Sequence, residues 1–209
     1  MRIQDDRTGE ILANIHEHLI RSESTYLKGK VEEAKRHRIC GTLITINVNL
    51  AFDCTRVYAS HCYGAERLVP NTLNSDEDRL IALLHSFSSA RKIGDSNFTS
   101  KLMKNLIEFM TLRLQGILDG DELIAGFVFA FPNGSKGRLL LIHWMVYSVQ
   151  ARVHCVEPSF EHIGDFDFVK SLAKESIRAN MMDEAEKEEW MSRVFPANMT
   201  KAVALYSDE

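Results

Sequence analysis

Ile44-Thr45-Ile46-Asn47-Val48-Asn49-Leu50 alternates apolar and polar residues without a break. Period-two alternation places every second side chain on one face, so this stretch predicts a β-strand with one buried side. A strand needs a partner, and its neighbours in sequence are of another kind. Ser75 begins an apolar pattern through Phe87 with a possible N-cap, and Asp78 stands three positions on, where a capping-box acid belongs. After Gly94-Asp95-Ser96-Asn97, residues 97–118 carry apolar side chains on most sides of a helix, the mark of a buried one.

Upstream, residues 9–38 read as helix in two pieces. Thr8 is the candidate cap of the first piece, and the break at Ser22–Thr25 provides a fresh cap for the second. Downstream, residues 121–131, 138–147 and 149–155 read as three antiparallel strands, with the Asn133-Gly134 pair marking a hairpin. Asp165 caps a helix to Met182, Asp183 opens an acidic helix to Val194, and residues 201–206 read as a last short strand. The expected fold is α+β: a largely antiparallel sheet packed by helices over 41–209, with a helical N-terminal extension over 1–40.

The 209 residues, 45% hydrophobic and 26% charged, contain enough apolar material for a core and exclude collagenous, mucin-like and disordered classes. Lys and Arg number 25 against 29 Asp and Glu, so no general polyanion-binding surface is implied. The excess acid lies in 157–209, where 12 acids face 6 bases. The longest apolar run, Leu139–Val149, has 11 residues, well short of the roughly 20 of a bilayer span. The opening MRIQDDRTGE has no signal-peptide apolar run, so a cytoplasmic or other intracellular location is expected, with reduced cysteines.

Gly94-Asp95-Ser96 superficially resembles the nucleophile block of the GDSL esterases, but no Asp-x-x-His follows to supply the base. A turn between helices, capped by Asp95 or Ser96, is the simpler reading. His16 and His18 are two apart and point away from each other on a helix, which is not zincin spacing. Cys40, Cys54, Cys62, His37 and His61 have the donor chemistry for zinc. A strand over 42–52, however, separates Cys40 from Cys54 by up to about 46 Å, so no metal is expected. Lys28, Lys30, Lys35, Arg36 and Arg38 form a basic cluster interrupted by Glu32 and Glu33. It is a candidate interaction surface, for a protein partner first and for nucleic acid as the alternative.

Leu43 to Met182, read as strand, two helices, three antiparallel strands and a helix, resembles the GCN5-related N-acetyltransferase (GNAT) superfamily. Ser75–Leu84 is similar to its first helix and Asp119–Phe129 to its second strand. The resemblance implies acetyl-CoA as cofactor, with Gly164 in the loop whose backbone N–H groups hold the pyrophosphate. It also implies acid–base roles for His143, Tyr147 or His154 on strands lining a cleft. Glu161 stands where that loop has a basic or amide residue and Phe166 where it has a small one; with Asp165, two carboxylates occupy the phosphate position. With no complete catalytic constellation, the first expectation is a non-catalytic binding or self-associating protein that uses no cofactor and acts through protein–protein contacts. Its contrasting 28–38 and 183–189 helices are the candidate docking elements. The acyltransferase is the alternative.

Overall fold

In the computed structural model, the described residues are 1–20, 24–37, 42–50, 52–66, 68–69, 75–113, 126–128, 130–150, 165–195 and 199–206. The class is α+β, and the chain divides into two compact units, Met1–Leu102 and Met103–Glu209.

The first unit holds a three-stranded mixed sheet. Strand β1 (Arg2–Asp5) lies between β2 (Ile11–Asn14), antiparallel to it, and β3 (Thr45–Val48), parallel to it with Ile3 opposite Ile46. Strand β3 confirms the alternation at its centre, with Ile46 and Val48 buried and Asn47 exposed. The helix expected from residue 9 is instead β2 followed by a 3₁₀ turn at Glu17–Leu19. The cause is the turn before it. The Asp5 carboxylate accepts the N–H groups of Arg7 and Thr8, both at 2.8 Å, and Gly9 supplies a left-handed φ of 72°, closing a hairpin. These backbone N–H groups hold the Asp5 carboxyl below its usual range.

Helix α1 (Thr25–Arg36) starts at the expected break. Ser24 Oγ accepts the N–H of Leu27 and donates to Ile93 O at 2.7 Å, so one buried hydroxyl caps α1 and ties it to the end of another helix. Helix α2 spans Phe52–Cys62. Helix α3 (Asp76–Ile93) has the expected Ser75 cap, with Asp78 N–H donating to Ser75 Oγ at 3.0 Å, and ends at Gly94 with φ of 67°. Helix α4 (Ser96–Arg113) is capped by Asp95, whose Oδ1 accepts the N–H of Phe98 at 2.9 Å.

Among its described residues the second unit has helices joined by turns and no strand. It contains α5 (Lys136–Gln150), α6 (Phe166–Met181), α7 (Glu184–Val194) and α8 (Met199–Tyr206). Three strand expectations are corrected here. Residues 126–128 and 130, within the 121–131 strand, are helical; 138–147 lie in α5; and 201–206 lie in α8. Nearly all of the third strand, 151–155, lies outside the described residues, and Ser148–Gln150 end α5. Helix α5 is buried nearly all round, from Leu140 and Leu141 at 0% exposure to Val146 at 2%. A helix with no polar face shows neither period, and the length of its apolar run was the remaining signal for helix. Its first turn packs against an aromatic ring: a Cβ on Gly137 would overlap Phe131 at Cδ1 and Cε1. Helices α6 and α7 match the sequence expectation, with Asp165 Oδ1 accepting from Phe168 N–H and Asp183 forming a full capping box with Glu186.

Candidate functional site

The loop 130–135 and the start of α5 build a polar hub around Arg138, which is 9% exposed. Its Nε donates to Phe131 O at 2.5 Å, Nη2 to Val128 O at 2.8 Å, and Nη1 to Asp165 Oδ2 at 2.5 Å and to Asn133 Oδ1. Asp165 is therefore doing two jobs, capping α6 with one oxygen and pairing Arg138 with the other. This hub fixes the start of α6 against the start of α5.

Beside it opens a cleft of about 570 Å³. Leu139, Ile142 and Phe168 form its apolar wall, and Lys136, Lys170 and Lys174 stand on its rim with Asp167 and Glu175. Ser135 contributes a nearly buried hydroxyl, whose oxygen accepts the N–H of Arg138 at 3.3 Å. Sequence reading passed over these residues, because Pro132-Asn133-Gly134-Ser135 looks like a hairpin turn. The signal that favours a helix start is Ser135 followed by Lys, Gly and Arg with no β-branched residue before Ile142.

No protein-family model, curated protein or solved structure matches the chain. The site must be read from its own geometry.

The residues singled out from sequence are not brought together. His143 lies on α5 rather than on a strand, packed edge-on against Trp190 at 5.8 Å between centroids. Tyr206 OH donates to Val194 O at 2.7 Å, so the 2.9 Å contact to His143 Nδ1 is a bond that Nδ1–H donates to the phenol oxygen. Burial, then the charges of Arg178 and Arg193, push the His143 pKa down to about 4, leaving the ring neutral near pH 7. Burial pushes the Tyr206 phenol up. Tyr147 is half-buried, with its ring 5.2 Å from that of Phe195. His154, Gly164, Glu161, Arg38 and Cys40 lie outside the described residues.

The basic cluster is largely compensated. Lys35 pairs with Glu17 at 2.6 Å and Glu32 at 3.2 Å, which raises its pKa, and Lys30 pairs with Glu33 at 3.5 Å. Lys28 and Arg36 have no ion pair among the described residues. Cys54 and Cys62 are buried thiols on α2, and Cys54 Sγ donates to Ser86 O at 3.7 Å. His61 Nε2 lies 3.7 Å from Asp95 Oδ2, which also accepts from Tyr58 OH at 3.3 Å. With Asp95 wholly buried and spent on capping α4, this cluster is core rather than a cleft. Among the described residues no group of three metal-ligating side chains converges.

Proposed function

We propose that the chain is a non-catalytic, self-associating protein in which two copies meet through α6. The observation carrying this is a second apolar stripe on that helix. Phe168, Leu172 and Ala179 face the core, while Phe166 (78% exposed), Ile177 (61%) and Met181 (82%) face outward with the exposed Ala173. At about 100° per residue these four fall within about 80° of arc, with the exposed Lys170 standing among them. A large exposed apolar stripe marks an interaction surface.

Charge placement favours a second copy lying antiparallel. Asp167 and Arg178, at opposite ends of α6, flank the stripe on the same side, about 20° apart around the axis. Two-fold pairing sets each Asp167 against Arg178 of the other copy, twice, as an isologous interface requires, in place of the 3.8 Å pair Arg178 makes with Glu175. One helix pair buries less than the 1,200–2,000 Å² or so of a stable interface, so the association is weak and concentration-dependent.

The packing of His143 and the burial of Asp95 and His61 support a role without chemistry at those groups. The acyltransferase alternative rests on element order, and α5 stands where that order calls for strands, so self-association is the preferred reading. Nucleic-acid binding through Lys28, Lys30, Lys35 and Arg36 is not favoured either, given the ion pairs of Lys30 and Lys35. Among the described residues no helix is long and apolar enough to cross a membrane. The thiols of Cys54 and Cys62 support a reducing, intracellular setting.

Sedimentation velocity over a hundredfold concentration range tests the reading. The average mass should rise toward a dimer in the parent protein and stay monomeric in Ile177→Glu/Met181→Glu. A monomer at every concentration, or a dimer indifferent to those substitutions, overturns it.

A further inference from the structure

We infer that the cleft between the start of α5 and α6 is a binding site for a small phosphorylated molecule with an apolar body. This does not rest on self-association: the cleft takes its apolar wall from Leu139, Ile142 and Phe168, although Lys170 lies within the arc of the exposed stripe.

The volume, about 570 Å³, falls in the range of small-molecule sites, roughly 300–1,000 Å³. The lining divides in two. Leu139, Ile142 and Phe168 offer an apolar wall, and four cations (Lys136, Arg138, Lys170, Lys174) face two carboxylates, Asp167 and Glu175. Arg138 is already engaged by Asp165 and Glu175 by Arg178 at 3.8 Å. Lys170 and Lys174 are not: neither has a carboxylate partner among the described residues. They stand one turn apart on one face of α6, where like charges repel, and an anion between them relieves that repulsion.

Across the cleft, α5 presents its N-terminus. The first-turn N–H groups of a 15-residue helix carry partial positive charge, and of these the Arg138 N–H is already accepted by Ser135 Oγ at 3.3 Å. Ser135, which caps this helix, also lines the cleft. Its side chain is nine-tenths buried at the cleft, its oxygen accepts from Arg138 N–H, and its own O–H has no acceptor among the described residues. A hydroxyl, the positive end of a helix and two ammonium groups without a carboxylate partner among the described residues line one space. Their complement is a multiply charged oxyanion that accepts on several oxygens, and the apolar wall then takes the remainder of the molecule.

Titration with phenyl phosphate, inorganic phosphate and benzyl alcohol, followed by calorimetry and amide chemical shifts, tests this. Phenyl phosphate should bind one to one, shift the amides of 135–139 and 168–175, and weaken with added salt. Lys170→Gln/Lys174→Gln, at exposed positions and checked for unchanged circular dichroism, should lower its affinity at least tenfold. Benzyl alcohol should not bind measurably. No binding of phenyl phosphate at 10 mM, or binding unchanged in the double variant, overturns the site. Phosphate binding as tightly as phenyl phosphate overturns the assignment of the apolar wall.

Discussion

Replacing Arg138 tests whether the hub organises the second unit. The Arg138–Asp165 pair is nearly buried, with side chains 10% and 17% exposed, and its atoms approach to 2.5 Å. Breaking such a pair from one side costs about 3–5 kcal/mol, because the remaining charge stays buried without its partner. Arg138→Met also strips donors from Phe131 O, Val128 O and Asn133 Oδ1, so its cost should fall at the upper end of that range. Asp165→Asn keeps an N-cap acceptor for Phe168 N–H while removing the charge, and should cost less, about 2–3 kcal/mol. In the double variant neither charge is left alone. Urea unfolding of the four proteins should then give a coupling of at least about 1.5 kcal/mol, the double costing less than the two singles together. Additivity within about 0.5 kcal/mol would show that the two side chains act independently and refute the hub.

Stability should also report on His143. Its folded pKa lies near 4, below the ordinary 6.5, so the unfolded chain takes up the proton first. His143 therefore contributes stability above about pH 6.5 that is lost as pH falls toward 4, with a limiting slope of about 1.4 kcal/mol per pH unit. Urea midpoints across pH 4–7 should show this component, and His143→Gln should remove it. Gly94→Ala should cost about 1 kcal/mol. The left-handed φ of 67° is the whole penalty, since a Cβ there meets Thr25 Oγ1 at an ordinary 3.5 Å; a neutral thermal shift would contradict this. Ser24→Ala should cost about 1–2 kcal/mol by removing both the α1 cap and the donor to Ile93 O, and amide exchange should rise at Leu27.

What was legible in the sequence were local signals with few competitors. Strand β3 follows from strict alternation. Ser24, Ser75, Asp95, Asp165 and Asp183 announce helices because a short polar side chain that accepts a first-turn N–H is a strong boundary mark. The misreadings have a common origin. Ile11, Leu12 and Ile15 fit a helical spacing, but the Asp5–Gly9 turn forces the chain back on itself and makes Ile11–Asn14 a strand. In α5 burial from several sides erased the polar face, and its branched and aromatic residues then read as strand; α8 is short, with Ala202 and Tyr206 its buried residues, and too brief for a period to show. The cleft was invisible for a different reason. Ser135 is 35 and 39 residues from Lys170 and Lys174 in sequence, and no short motif carries the three; only the packing of α6 on α5 makes them neighbours.

Gly137 and Phe131 form a pair whose identities are not independent. Because the ring occupies the space a side chain at 137 would need, a chain keeping this helix start can vary one position only if the other changes with it. Any sequence descended from the same ancestor should then show glycine at 137 wherever 131 is aromatic. Alanine or serine at 137 should appear only beside a smaller residue at 131, giving a covariation signature by which distant members of the lineage could be recognised.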